Sequence, residues 1–408
     1  MCEEAAGFRK NVSEEIRVRV DAFGKSVVQL RSANMFLAAG RKIVREELRA
    51  RTGDTAMDLF SHAEFDDHED VRFLHHRESG LRAIIALHDT TLGPAIGGCR
   101  MWPYASDGEA LADVLRLSRG MTYKTAMAGL PFGGGKSVII GDPRRDKSPE
   151  LWRAFGRAVE GFGGRYYTGE DVGTTPADMD LAGGVTRFVL GRASGGSGDP
   201  SPMTARGVLA GIRVAVRHRL GRDGLAGITV ALQGLGHVGM HLAELLAMEG
   251  ARLVVADLDP GRAGEAARRF GARVVSGAEI LETPCEVLAP CALGAVIDDH
   301  SLPRLRCAVV AGAANNQLAT ERHGDGLHER RILYAPDYVI NAGGVINIAE
   351  ELHPEGYRPE RARQRLEVIG ERLTEIFARA ARREVPTHRV ADAMAREIVA
   401  RARRARAA

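Results

Sequence analysis

The sequence has no apolar run of membrane-spanning length, which excludes a transmembrane helix. Its first residues, Met1-Cys2-Glu3-Glu4, contain neither a basic region nor an apolar segment, so no secretory signal peptide is expected. Net charge is only +3. That is too small to imply a polyanionic partner, and neither nucleic acid nor a membrane is expected. The basic ending Arg401-Ala402-Arg403-Arg404-Ala405-Arg406 could serve a nucleic-acid tail. It reads better as a solvated helix C-terminus, whose dipole favours arginine. Cysteines number five, an odd count without metal-like pairing, and Cys285 and Cys291 are too widely spaced for a zinc knuckle. No metal site is therefore expected; the thiols read as packed apolar groups in a reducing compartment, the cytoplasm. Apolar and charged fractions are ordinary for a globular chain, and 408 residues suggest two or three domains.

A P-loop is also missing. Gly133-Gly134-Gly135-Lys136-Ser137 tempts that reading, but the pattern needs Gly, four residues, then Gly-Lys-Ser/Thr leading into a helix. Counting back from Gly135, the first position is Leu130; Gly129 is one residue too early. The following run, Ser137 to Ile140, is β-branched and bounded by Gly141-Asp142-Pro143, so it reads as a buried strand. The glycines are expected to let backbone approach a ligand closely. A lysine entering a buried strand must be desolvated, paired or functional. Lys136 reads either so, or as a surface lysine beside a flexible turn. A second lysine, Lys124, ends an amphipathic helical pattern.

Residues 1–56 mix charge with weak periodicity, and a helix or a disordered extension both fit. Met57-Asp58-Leu59-Phe60 starts a sharper pattern. Val71–Arg77 and Leu81–His88 are strand-like around Glu78-Ser79-Gly80, a hairpin signal. His75 and His76 are adjacent, so they point to opposite faces and share no metal. Ser106 and Glu109 form a capping-box pattern before a helix that carries the chain to Lys124. Ser148-Pro149 opens another helix. Tyr166-Tyr167-Thr168 is a short strand ending in Gly169-Glu170-Asp171-Val172-Gly173, with Thr175-Pro176 opening the next helix. Asp171 lies at a strand's C-terminal end, where α/β proteins keep reactive groups. A turn aspartate bonding its own backbone is the plainer alternative.

Residues 194–202 are rich in Ser, Gly and Pro and read as a hinge. Beyond them come a helix, a strand to Gln233, Gly234-Leu235-Gly236-His237-Val238-Gly239, a helix, and a strand ending at Asp257. Strand, glycines, helix, second strand and terminal acid fall in the order of a dinucleotide-binding unit. The glycines would allow a tight turn and backbone approach to pyrophosphate, and the helix N-terminus would stabilise its charge. Asp257 would bond the adenosine ribose diol and repel a 2′-phosphate. Short strands at Glu286–Ala289 and Ala308–Ala311 end in loops that would line the cleft. Tyr338–Ile348 returns the chain to its first domain, and the last fifty residues read as helical.

Seven motifs keep one order and spacing: Gly-Gly-Cys-Arg (97–100), Met-Thr-Tyr-Lys (121–124), Gly-Gly-Gly-Lys (133–136), Glu-Asp-Val-Gly (170–173), Gly-Leu-Gly-His-Val-Gly (234–239), Gly-Ala-Ala-Asn-Asn-Gln (312–317) and Asn-Ala-Gly-Gly-Val (341–345). From about Met57 onward the chain resembles the glutamate/leucine/phenylalanine/valine dehydrogenase family, its leucine branch most closely. The resemblance implies a two-domain α/β fold. Residues 57–190 would form a substrate and oligomerisation domain, to which helices 346–408 return. Residues 191–345 would form a Rossmann NAD-binding domain, with a cleft between, and 1–56 an extension. It implies reversible oxidative deamination of an apolar L-amino acid (leucine, valine or isoleucine) by a homo-oligomer with NAD. A phenylalanine-preferring enzyme or a non-catalytic amino-acid and NAD-binding relative are the alternatives.

The resemblance also implies roles. Lys124 would pair with the substrate carboxylate, helped by the Gly97–Gly98 backbone. Lys136 would be the general base that activates water against the iminium left by hydride transfer, which needs an amino group lowered towards neutrality beside a second cation such as Lys124. Asp171 would exchange a proton with the substrate nitrogen, and Asn315 would hold amino group and cofactor together. Met121, Ile96, Gly169, Val345 and Ile348 would surround the side chain. Ile96 and Ile348 stand where the glutamate branch holds a distal carboxylate with lysine and serine. Gly169 is shared with aromatic-preferring relatives. Arg100, Ser201, Thr204, Gly234, Leu235, Gly236, His237, Val238, Gly239, Asp257, Ala292, Leu293, Asn315 and Asn341 would meet NAD. Cys99 and His237 depart from the usual threonine or alanine and asparagine, and neither removes a catalytic group.

Overall fold

A computed structural model describes residues 16–20, 26–30, 59–193, 196–292 and 294–407. Leu293 and part of the expected hinge lie outside the described residues. The chain divides into two units, Met1–Leu59 and Phe60–Ala408. In the first, β1 (Ile16–Val20) pairs antiparallel with β2 (Ser26–Leu30). These ten residues are therefore strands, not the helix or the disordered chain that their weak periodicity suggested. Ile16, Val18 and Val20 alternate with Arg17 and Arg19, a period of two.

The second unit begins with a hairpin, β3 (Asp70–His76) and β4 (Leu81–Asp89), which the sequence signals placed correctly. Next come β5 (Ala95–Ile96), β6 (Cys99–Trp102), helix α1 (Asp107–Met127), β7 (Gly133–Ile140), α2 (Pro149–Glu160), β8 (Tyr166–Tyr167) and α3 (Pro176–Gly183). The sheet runs β3-β4-β7-β5-β8, with β6 also on β7. Alternation on β4 explains the layering. Leu81, Ala83, Ile85 and Leu87 pack with Trp152, Phe155 and Val159 of α2, while α1 covers the opposite face. Ser106 Oγ caps α1 by accepting the Glu109 N–H at 3.1 Å. The reciprocal arm is displaced by one residue: Glu109 accepts from the Ala105 N–H at 2.7 Å.

The glycines of β7 correct one expectation. They admit neighbouring protein atoms, not a ligand. A Cβ on Gly133 would lie 2.1 Å from the Asp89 carbonyl, one on Gly134 would lie 2.1 Å from the Thr122 nitrogen, and one on Gly135 would lie 2.9 Å from the Tyr166 ring. Close packing of β4, α1 and β8 around this strand requires all three.

The chain then forms a second sheet. Helix α4 (Ser201–Leu220) leads into β9 (Thr229–Gln233), α5 (His237–Met248), β10 (Arg252–Ala256), α6 (Pro260–Phe270), β11 (Arg273–Val274), β12 (Cys285–Pro290), β13 (Cys307–Val310), α7 (Glu321–Glu329) and β14 (Leu333–Tyr334). Its order is β11-β10-β9-β12-β13-β14, and its pairs are parallel. Such a sheet is wound outward in both directions from β9. Its loops part between β9 and β12, where ligands of doubly wound folds bind. Short helices α8 (Asp337–Ile340), α9 (Gly343–Ala349) and α10 (Pro359–Arg365) follow, then α11 (Glu367–Arg383) and α12 (Thr387–Ala407). The last two run back onto α1 and β4. Arg372 donates to the Met127 carbonyl at 3.2 Å, and Arg403 meets Asp89 at 2.6 Å. No helix among the described residues is long and apolar enough to cross a membrane.

Candidate active site

The site starts from a break in the first sheet. Ile96 pairs with Gly134 and Cys99 pairs with Ser137, so the ladder opens at Gly97–Gly98, opposite Gly135–Lys136. The Gly97 N–H is taken by the Tyr167 carbonyl at 3.1 Å, which leaves it no part in holding a substrate carboxylate. The loop after β8 runs alongside β6, with Cys99 N–H on the Gly169 carbonyl and Met101 N–H on the Val172 carbonyl. This loop delivers Asp171 to Lys136. The lysine Nζ lies 3.1 Å from Asp171 Oδ2, and Lys136 is 5 % exposed.

Asp171 has a second partner. Arg100 Nε lies 3.0 Å from the same oxygen, and Arg100 Nη1 reaches Asp113 of α1 at 2.9 Å. Burial alone would raise the Asp171 carboxyl; the charges and hydrogen bonds of Lys136 and Arg100 outweigh it and hold the group well below the usual carboxylate range. It is ionised at any physiological pH. Lys124 stands in the last turn of α1 and donates to Asn315 Oδ1 at 3.1 Å. Burial lowers its amino group to about 8; Asp337 and Asp171 oppose that fall, and the like charge of Lys136 adds to it.

These groups share a cavity of about 290 Å³. It gathers Lys124, Lys136 and Asp171 with Gly97, Gly98, Asn315, Asn341 and Thr204. Ile96, Met121, Gly169, Val345 and Ile348 form its apolar side. Residues from 96 to 348 in the chain thus line one cavity. Asn341 fixes Asn315 by donating to its Oδ1 at 2.8 Å and to the Ala313 carbonyl at 3.0 Å. Arg100 lies in a neighbouring recess of about 510 Å³ with Ala292 and Asn315.

The crevice of the second sheet fits a dinucleotide. Gly234 has φ +95°, and a Cβ there would meet Ala292 at 2.8 Å. Gly239 packs its helix on the strand, since its Cβ would lie 2.0 Å from the Gly234 carbonyl. A Cβ on Gly236, between them, would meet nothing within 4 Å, so backbone is open to a phosphate there at the start of α5. Asp257, just after β10, accepts the Leu235 N–H at 2.6 Å and the Asp259 N–H at 2.8 Å. Each carboxylate oxygen keeps acceptor capacity for a ribose hydroxyl. Val238 lines the central cavity; His237 is exposed, 3.7 Å from Asp199, which also accepts the Ser201 N–H. Buried Asn341 Oδ1 has no partner within the protein, an acceptor available to a ligand.

Three charged residues of this region went unnoticed in the sequence. Asp113 orients Arg100 and accepts from Tyr104 at 2.7 Å. Arg116 lines both recesses. Asp337 lines the central cavity opposite Lys124. Only Asp337 left a local signal: a lone charge in the run Tyr334–Ile340, four residues before Asn341.

Fold and site together define a nicotinamide-dinucleotide-dependent oxidoreductase acting between two α/β layers. Residues 68–187 match the Glu/Leu/Phe/Val dehydrogenase dimerisation domain, and residues 195–261 and 262–407 match the Glutamate/Leucine/Phenylalanine/Valine dehydrogenase domain. The chain is 52% identical over 352 residues to a leucine dehydrogenase of Geobacillus stearothermophilus, spanning 86% of this chain and 95% of that one. A phenylalanine dehydrogenase of Thermoactinomyces intermedius is 47% identical, over 83% of this chain and 93% of its own. The crystal structure of L-tryptophan dehydrogenase from Nostoc punctiforme aligns with a TM-score of 0.72 at 44% identity, covering 83% of this chain and 97% of that one. The chain belongs to the glutamate/leucine/phenylalanine/valine dehydrogenase family and is an amino-acid dehydrogenase.

Proposed function

We propose that the protein catalyses the reversible, NAD-dependent oxidative deamination of an apolar L-amino acid to its 2-oxo acid and ammonium, with leucine, valine and isoleucine preferred. One observation carries this reading. Lys136 and Asp171, 3.1 Å apart, face Lys124 across a cavity that adjoins a dinucleotide crevice.

Lys124 binds the α-carboxylate as a charge-assisted pair. The ionised Asp171 and the Asn315 side-chain oxygen receive the substrate's amino group. That fixes the α-carbon between Lys136 and the crevice, where orientation lowers the barrier. Lys136 is the general base, and Asp171, on its amino group, holds the proton in transit. The Asp171 carboxylate cannot serve as the resting acid, because Arg100 and Lys136 keep it ionised. NAD would supply the hydride acceptor, held by the glycine turn after β9 and, at its ribose, by Asp257. Leu258, 99% exposed beside Asp257, would offer an apolar face to a bound adenine.

Substrate class follows from the apolar wall. A second carboxylate placed against Ile96 and Ile348 would be unpaired, at a cost of several kcal/mol. A branched aliphatic chain gains about 0.8 kcal/mol per buried methylene instead. The identity to leucine dehydrogenases supports that choice. Gly169 supports a second reading, phenylalanine as a further substrate, since it leaves room an alanine would fill. The enzyme assembles as a homo-oligomer through its first sheet region, where the family match is to a dimerisation domain. We place it in the cytoplasm, in keeping with the free thiols of Cys99, Cys285, Cys291 and Cys307. NADH absorbance, followed across a panel of L-amino acids, tests the proposal. The branched-chain substrates should lead and glutamate should be inert. No NADH from any amino acid would leave a non-catalytic relative; phenylalanine in the lead would mean that Gly169 outweighs the two isoleucines.

A further inference from the structure

Asp337 is a carboxylate in the cavity that the mechanism above does not use. It opens α8 and stands on the second-sheet side, opposite Lys124. Its Oδ2 accepts the Gln317 backbone N–H at 2.9 Å, and its Oδ1 accepts the Tyr338 N–H at 2.7 Å. Gln317 ends the loop that carries Asn315. Asn341, one turn after Asp337, holds the same loop at Ala313 and at Asn315 itself. A single turn of chain therefore pins both ends of the Asn315 loop.

The C-terminal helix sets this turn against Lys124. Tyr338 follows Asp337, and Tyr123 precedes Lys124. Tyr338 OH donates to Asp392 at 2.7 Å, and Arg396 Nε donates to Tyr123 OH at 2.9 Å. Asp392 and Arg396 lie one turn apart on α12, and the two tyrosine rings are 6.1 Å apart. One helix thus fixes the neighbours of both charged residues, which come from opposite sides of the cavity.

We propose that Asp337 is a positioning residue for the reaction: its carboxylate fixes the 315–317 loop and faces Lys124 across the cavity, holding Asn315 and the lysine amino group where a substrate's amino and carboxylate groups meet. This rests on the dehydrogenase reading. The charged groups facing Lys124 are Asp337 from α8, Lys136 from β7 and Asp171 from the loop after β8. Arg116 of its own helix and Glu170 line the same cavity. Asp171 is committed to Lys136 and Arg100, so Asp337 is the carboxylate whose removal isolates the effect on Lys124. Without it the lysine loses its proton at lower pH, and carboxylate binding weakens earlier as pH rises.

The test compares wild type with Asp337→Asn and Asp337→Glu in the full-length enzyme. Asn keeps an acceptor for the Gln317 N–H but removes the charge; Glu keeps the charge but misplaces it. With saturating NAD, Asp337→Asn should raise the leucine KM roughly tenfold, change kcat by less than about threefold, and move the alkaline rise of KM to lower pH by about one unit. Asp337→Glu should keep the wild-type pH position and lose kcat through Asn315, by about tenfold. The affinity for 4-methylpentanoate, a carboxylate with no amino group, should fall in Asp337→Asn alone. An Asp337→Asn enzyme with unshifted KM and pH profile overturns the proposal and leaves the function standing. If Asp337→Asn does not fold, a wild-type kcat in Asp337→Glu overturns it equally. A wild type without NADH formation on any amino acid removes the function and the proposal together.

Discussion

Lys124 and Asn315, 191 positions apart in the chain, are joined by a 3.1 Å hydrogen bond across the cavity. The bond links the last turn of α1 to the loop after β13. A substrate that takes the lysine with its carboxylate and the asparagine with its amino group replaces one direct link by two. The site thereby holds together the same pair of side chains that the substrate would take.

Lys136→Ala should lower turnover by about 10²–10⁴-fold, the range that one general base supplies. NADH affinity, read by fluorescence, should change by less than about threefold, because no atom of Lys136 lies in the glycine turn or beside Asp257. Retention of roughly a tenth of wild-type turnover would assign the base elsewhere.

Asp257 should make NAD strongly preferred over NADP. A 2′-phosphate about 5 Å from the carboxylate meets repulsion on the order of 3 kcal/mol at an effective dielectric near 20, or roughly a hundredfold in kcat/KM. Asp257→Ser should narrow that gap, mostly by improving the KM for NADP. Equal kcat/KM for the two cofactors in the wild type would contradict the assignment.

Gly169→Ala should sharpen the choice between aliphatic and aromatic substrates. A Cβ there would lie 3.4 Å from the Leu190 carbonyl, an ordinary contact, so the protein accommodates the methyl and the cavity loses the space. Overpacking of this size costs about 1–3 kcal/mol for the ligand that used the room. Phenylalanine kcat/KM should fall by about tenfold or more, while leucine changes by less than about threefold. An unchanged ratio of the two would mean that the aromatic ring does not reach Gly169.

His68 should set acid stability. Its Nε2 lies 3.0 Å from both the Leu115 carbonyl and Ser118 Oγ, and its ring is 4.8 Å from that of His88. Burial, followed by the charge of His88, lowers it from 6.5 to about 4. A histidine whose folded value lies below its unfolded one contributes stability that is complete above 6.5 and lost as pH falls towards 4. The loss amounts to about 3 kcal/mol at most. Urea unfolding at stepped pH should show the decline across that window, and His68→Gln should flatten it. A wild-type slope in His68→Gln would move the effect to another group, with buried His88 next in line.

The local elements and the chemistry of the motifs were legible in the sequence by itself. The hairpin of β3 and β4, the caps at Ser106, Ser148 and Thr175, the glycine turn after β9 and the acid after β10 are each specified within a dozen residues. There, periodicity, turn chemistry and capping act without help from distant chain. The two lysines, Asp171 and Asn315 are singled out through the family resemblance that their motifs carry. Charge partnership and packing were decided only in the folded molecule, because both depend on which side chains burial brings within a few ångströms. Thus Arg100 turns to Asp171 and Asp113, and the glycines of β7 admit Thr122 and Tyr166 instead of a ligand. Burial pushes the Lys124 amino group down, and Asp171 comes within 3.1 Å of Lys136. Asp337 acquires its place opposite Lys124 from a turn that Asp392 and Tyr338 dock on the C-terminal helix. Arg100 and Asp171, Lys136 and Asp171, and Tyr338 and Asp392 are each too far apart in the chain to share a window of local sequence.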